Sequence, residues 1–193
     1  MYAAETATLK SIAQSPEIKT LVATILDPAS LNAGRPAFDN TAAWLARLDA
    51  VPGDPDPESG RRLFFHPKLA LCSNCHRHSG RGVVLGPDLS LAGEQGNREA
   101  LLRSILEPQR EVAPQFYPSQ VKLTDGTEFV GILLRSSSSE VFRDLNGNER
   151  SIPEADVVER IDLRTSLMPP GLVSILTDRE LRDLLAFLGS GRH

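Results

Sequence analysis

At 193 residues and 21.0 kDa, with 40% hydrophobic and 24% charged residues, the chain has the composition of one globular domain with room for small additions, which excludes a disordered or fibrous protein. Its net charge of −4 argues against a nucleic-acid partner, and its two cysteines are too few for a disulfide scaffold. No apolar run approaches the roughly 18 residues that cross a bilayer, and the opening MYAAETATLK lacks the basic and apolar regions of a secretion signal, so a soluble chain is expected.

The first fifty residues read as helices. Ser15-Pro16-Glu17 is a cap followed by Pro at the first helical position, and Ile18, Leu21, Val22, Ile25 and Leu26 then share one face. Asp27-Pro28 ends that helix. A second starts near Asp39 or Asn40, carries Trp44, Leu45 and Leu48, and breaks at Pro52-Gly53. Residues 51–56 read as a linker, and a short helix runs from Pro57 to about Phe65. A glycine-rich loop holds both cysteines, and Asn97 caps a helix that turns Leu101, Leu102, Ile105 and Leu106 inward until Pro108.

The pattern changes near residue 115. Val121 and Leu123 alternate with polar residues, and Asp125-Gly126 and Asn146-Gly147 are hairpin signals. Strands are expected around 121–123, 127–134, 141–142, 151–152 and 157–163, as a small antiparallel barrel of SH3-like type. Pro153 puts its strand at an edge or makes it short. The chain returns to helix at Thr177-Asp178-Arg179-Glu180, a capping box, with Leu181, Leu184, Leu185 and Leu188 at i, i+3, i+4 and i+7.

The chemistry lies in Cys72-Ser73-Asn74-Cys75-His76. Chance produces this spacing with a following histidine on the order of two times in ten thousand, and the pattern reads as c-type haem attachment. Each thiol adds across one porphyrin vinyl group, and His76, held beside them, presents its imidazole to the iron. A zinc site built on Cys72, Cys75, His76 or His78 lacks the second ligand pair that a closed site draws from farther along, since only His66 and His193 remain. A thioredoxin-like dithiol lacks its βαβ setting. For a sixth ligand, a thioether raises the potential. Met168, in the proline-bounded Ser166-Leu167-Met168-Pro169-Pro170-Gly171, is the candidate, with His78 and His66 as rivals.

With these residues the sequence resembles class I cytochromes c over residues 57–110 and 167–193. The likeness rests on Gly60 to Phe64, CSNCH, Gly86-Pro87-Asp88-Leu89, Met168-Pro169 and the last helix ending Leu185-Ala186-Phe187-Leu188. It implies that Gly60, Phe64 and Phe187 pack where the first helix crosses the last, and that the Pro87 carbonyl orients the proximal imidazole. The departure is spacing: 92 residues separate His76 from Met168, and removing residues 115–166 leaves forty. With its insert, SLMPPGL and helical lead-in, the chain also resembles the C-terminal haem-binding module of planctomycete and verrucomicrobial proteins that often follows a dehydrogenase-like β-propeller.

The fold expected is therefore mainly α, a cytochrome c fold (57–114 and 167–193) with an inserted β-barrel-like subdomain (115–166), a linker (51–56) and an N-terminal helical segment (1–50). The function expected is that of a monohaem electron carrier and not an enzyme, alone or as a domain of a larger dehydrogenase. Cys72, Cys75, His76, Met168, Pro87 and Phe64 are placed at the haem, and His76 and Met168 on the iron. The resemblance implies a periplasmic or membrane-exterior site, a dehydrogenase donor and a cytochrome acceptor, with the signal removed or on a longer parent. Residues 57–110 carry eight basic and five acidic side chains, against six and nine in 115–166. The basic half could meet an acidic redox partner, or hold haem propionates through Arg77, Arg81, Arg98 or Arg103. The insert holds neither His nor Cys and reads as a cover or docking surface. A gas sensor with a displaceable Met168 and a haem peroxidase are the competing functions.

Overall fold

The computed structural model describes residues 32–191. The chain divides into two compact units, Met1–Pro36 and Ala37–His193. The helix expected after Ser15 lies outside the described residues.

In the second unit the α-helices are α1 (Thr41–Asp49), α2 (Pro57–Phe64), α3 (Ala92–Gln95), α4 (Arg98–Leu106) and α5 (Asp178–Gly189). Four begin at a side chain that accepts the orphan N–H groups of the first turn. Asn40 accepts from the Ala43 N–H, Asp56 from those of Glu58 and Ser59 ahead of Pro57, and Asn97 from that of Ala100. Thr177 and Glu180 bond reciprocally at the head of α5.

Helix α5 is the axis of this part. One side buries Leu181 and Leu185 against Trp44 and Leu48 of α1 and Leu102 and Leu106 of α4. The other buries Leu184, Phe187 and Leu188 against Leu63 and Phe64 of α2. Each fully buried side chain of this size contributes about 1.5–3 kcal/mol. Helices α2 and α5 cross backbone to backbone at Gly60, where a Cβ would lie 2.0 Å from the Asp183 carbonyl oxygen. Residues 51–56 are fastened to the same helix. The buried Arg182 guanidinium donates to the carbonyls of Val51, Gly53 and Asp54, and the Asp183 carboxylate accepts from the Asp56 N–H at 2.9 Å.

Between α4 and α5 stands an antiparallel sheet of five strands: β3 (Pro118–Leu123), β4 (Glu128–Ser136), β5 (Ser139–Asp144), β6 (Glu149–Pro153) and β7 (Val157–Asp162). Their order is β6-β5-β4-β3-β7, so the last strand returns to pair with the first. Gly126 and Gly147, with φ of +83° and +86°, make two of the three hairpin turns, and Ser137-Ser138 makes the third. Pro153 ends β6, an edge strand, where no N–H is missed. The sheet curls. Ile152 of β6 and Val157 of β7, on opposite edges, reach one cluster with Val121, Leu123 and Phe142. The buried Glu140 of β5 pairs with Arg160 of β7, two intervening strands away, a gap of about 14 Å if the sheet were flat.

This architecture corrects the mainly α expectation. Of the described residues, 35% are helical and 22% lie in strands, with a second, two-stranded sheet beside the five-stranded one. The physical reason is twofold. The strand-rich block has its own hydrophobic core and is a full architectural layer, whereas the helices are short and the long segment between α2 and α3 holds no α-helix.

Candidate functional site

The segment between α2 and α3 carries both cysteines. Cys72–Asn74 form a single 3-10 turn, and β1 (Arg77–His78) folds back on β2 (Arg81–Gly82) as a minimal hairpin. The backbone is laced about the motif. The His76 N–H donates to the Cys72 carbonyl at 2.8 Å, Val83 to Ser73 at 3.0 Å, and Leu85 and Gly86 both to Cys75 at 2.9 and 2.8 Å. Among the described residues, the non-glycine positions with left-handed backbone are Ala70, Leu71 and Ser79, with φ of 55°, 56° and 48°. All three flank the motif. Such strain persists only where surrounding structure enforces it, and it collects at functional sites.

His76 is held from two sides. Its Nδ1 lies 2.9 Å from the Pro87 carbonyl oxygen, so Nδ1 carries the proton and donates, and Nε2 keeps its lone pair. No protein group among the described residues bonds Nε2. The ring lies on Gly86, where a Cβ would be 2.5 Å from its Cε1 and 2.9 Å from Nδ1, so any larger residue displaces the imidazole. Burial lowers the pKa of His76 and the Pro87 bond opposes that shift, which favours the neutral, ligating form at neutral pH.

Burial pushes the Cys72 thiol up to about 11 and raises Cys75 as well. Among the described residues no group of three His, Cys, Asp or Glu side chains is arranged to hold a metal ion. Half-buried Cys72 packs on the α2–α5 core, and Leu69 and Leu71 just before it in the chain are exposed at 37% and 40%. The Cys72 thiol therefore sits at an apolar margin.

The rival histidines are committed elsewhere. His66 Nδ1 accepts from the N–H groups of Lys68 and Leu69 and closes its own turn. His78 is buried with its ring 4.3 Å from that of Phe187 and 5.8 Å from that of Phe64. Phe64 itself is fully buried, 5.6 Å from the Phe187 ring. Met168 is half-buried in the loop after β7. The chain leaving it enters the core at Val173 and Leu176, and Leu176 belongs to the cluster on which Cys72 packs. Of the four arginines considered for propionates, Arg98 pairs with Asp49 and Arg103 with Glu99. Arg77 has no ion-pair partner among the described residues, and Arg81 lies over the Phe65 ring at 4.4 Å.

No family model matches the chain, and the search of curated proteins finds no match.

Two residues had no signal in the sequence. Gln109, just past Pro108, makes four hydrogen bonds to the Met168 loop. Arg143 of β5 donates to the Val84 carbonyl at 2.7 Å and to Glu149 at 2.6 Å, and so ties the sheet to the segment that carries Gly86 and Pro87. Gly147 of the β5–β6 turn meets the same segment, where a Cβ would be 2.6 Å from Val83. Among the described residues no helix is long and apolar enough to cross a membrane.

Proposed function

We propose that this chain is a monohaem c-type cytochrome module that carries single electrons, resembling class I cytochromes c in its motifs. The observation that carries the reading is the state of His76. One nitrogen donates to Pro87, the other is left with its lone pair, and the ring is seated on a glycine that has no side chain to dispute the space. A histidine fixed through its second nitrogen is how proteins orient a metal ligand and set its basicity.

The residues fit a covalent haem. Cys72 lies against the apolar core, and Cys75 and His76 follow it at the spacing that attachment to two vinyl groups and one iron needs. Haem iron, once bound, supplies the ferric–ferrous couple. The protein's part is to hold still. Cys72, Cys75 and His76 would fix the porphyrin from a loop whose carbonyls and amides are mutually satisfied, and Met168 would supply the thioether that favours the ferrous state. The exposed Leu69 and Leu71, just before Cys72, would shield the attached group from water. The mildly basic surface of Lys68, Arg77 and Arg81 suits an acidic redox partner, a dehydrogenase on the donor side and another cytochrome on the acceptor side. Covalent haem attachment implies a periplasmic or membrane-exterior location.

Absorption spectra of oxidised and reduced protein test the reading. A Met168→Ala variant should lose the weak sulfur-to-ferric band. Its potential should drop by on the order of 0.1–0.3 V, inside the roughly 0.8 V that axial ligands span. A variant with an unaltered band and potential removes Met168 from the iron. Rapid carbon monoxide binding by reduced wild-type protein would point instead to a sensor with an easily vacated sixth position.

A further inference from the structure

Gln109 stands at the exit of α4, before the chain enters the sheet, and Met168 stands just after the chain leaves it. The two are 59 residues apart in sequence and joined by one side chain. The Gln109 Oε1 accepts from the Thr165 hydroxyl at 2.5 Å and from the Ser166 N–H at 2.7 Å. Its Nε2 donates to the Ser166 carbonyl at 3.1 Å and to the Met168 carbonyl at 3.2 Å. Toward Ser166 the amide thus does what a paired strand would do, accepting from the N–H and donating to the C=O of one residue. The loop needs such help. Pro169 and Pro170 have no N–H and cannot close a turn behind Met168, whose own N–H is satisfied locally by Ser166 Oγ at 3.0 Å.

We propose that Gln109 is a positioning residue for the sixth haem ligand: it clamps residues 165–168 and thereby holds the Met168 sulfur on the iron, which rests on the haem reading of the Cys-His loop. The clamp also separates the ligand from the sheet. Strands β3 and β7 close their own neck where the Leu163 N–H donates to the Pro118 carbonyl at 2.7 Å, and Gln109 takes hold immediately after. Motion of the sheet about that neck then stops at Thr165 and does not reach the sulfur. Once the clamp is removed, residues 165–168 are held only through their ends, by the Leu163–Pro118 neck on one side and by Val173 and Leu176 beyond the prolines on the other, and the thioether leaves the iron more readily.

The test uses haem-loaded protein and three variants, Gln109→Ala, Gln109→Glu and, as a surface control, Lys122→Ala on β3. The first reading is the pH at which the sulfur-to-ferric band disappears on alkaline titration. With Gln109→Ala this midpoint should fall by about one unit, and carbon monoxide should bind the reduced form about tenfold faster, the scale of one or two lost hydrogen bonds. Gln109→Glu keeps the acceptor for Thr165 and Ser166 but loses the donor to both the Ser166 and the Met168 carbonyls, so it should also lower the midpoint. Lys122→Ala should match wild type. The second reading is amide hydrogen exchange at Ser166, which needs no haem signal and should accelerate in Gln109→Ala but not in Lys122→Ala.

A merely structural glutamine would lower the urea midpoint and leave the pH midpoint of the band where it was. That result, or unchanged exchange at Ser166, overturns the inference while Met168 ligation stands. Wild-type protein without the band overturns Met168 ligation itself, and the inference with it.

Discussion

The Cys-His loop and the five-stranded sheet are neighbours built on opposite principles. The sheet is regular: its strands pair in continuous registers interrupted by two shifts, two of its three hairpin turns carry a left-handed glycine, and its strands share one hydrophobic core. Its charges are mostly answered, with Arg160 on Glu140, Arg143 and Arg135 on Glu149, and Lys122 on Glu128. The loop has almost no regular structure, contains the strained non-glycine residues, and leaves Lys68 and Arg77 without acidic partners among the described residues. Its order comes from individual hydrogen bonds converging on Cys75 and His76. Regular structure stabilises the sheet for its own sake, whereas the loop is ordered around Cys75 and His76 by single hydrogen bonds to their carbonyl and ring. Strain of the kind at Ala70, Leu71 and Ser79 collects at functional sites.

The largest expected effect tests what supports the loop from beneath. Gly60→Val pushes α2 off α5 against a backbone atom and should cost more than about 3 kcal/mol, the upper end of overpacking, read as a lost or greatly lowered urea midpoint. A variant of near wild-type stability would show that the crossing is looser than its geometry. Gly86→Ala strikes the imidazole directly. It should cost about 1–3 kcal/mol and turn the haem spectrum away from low spin, while an unchanged spectrum would mean that His76 does not depend on this seat.

Arg143→Ala addresses the boundary between the two regions. Losing a charged donor to the Val84 carbonyl should cost about 1.5 kcal/mol and speed amide exchange at Leu85 and Gly86, leaving exchange within β3 and β4 as it was. Uniform acceleration across the sheet would make Arg143 part of the sheet's own stability instead.

Acid sharpens the contrast with a smaller signal. The Asp125 and Asp144 carboxyls in the hairpins lie below their ordinary value of 3.8, held there chiefly by backbone bonds from Thr127 and Asn148. The Asp56 cap of α2 is lowered chiefly by the Ser59 hydroxyl. A depressed folded value means stability that is complete above the unfolded pKa and is lost as pH falls through the folded one. The urea midpoint should hold from pH 7 to about 4.5 and decline below about 4. Asp125→Asn and Asp144→Asn should flatten that decline, and a midpoint rising in acid would contradict the sign.

Legibility in the sequence tracks the range of the physics. Capping residues, hairpin dipeptides and the period of Leu181 to Leu188 act within a few residues, and the helices and strands stand close to where they point. The motif was legible because Cys72, Cys75 and His76 are covalent neighbours. Gln109 and Arg143 were not, because each is an ordinary polar residue whose bonds to the Met168 loop or to Val84 span 56 to 59 residues, and only the folded chain brings them together. The balance of fold class was misjudged for a related reason: strand signals mark where strands start, while the sheet's weight comes from curling and closing its own core.

The most direct test of the account is whether pigment stays with the polypeptide. Protein made in a host competent for cytochrome maturation should be coloured, retain one haem per chain through acid–acetone extraction, and lose it when Cys72 and Cys75 are both replaced by alanine. A colourless chain from that host, or a pigment that the solvent removes from wild-type protein, contradicts it.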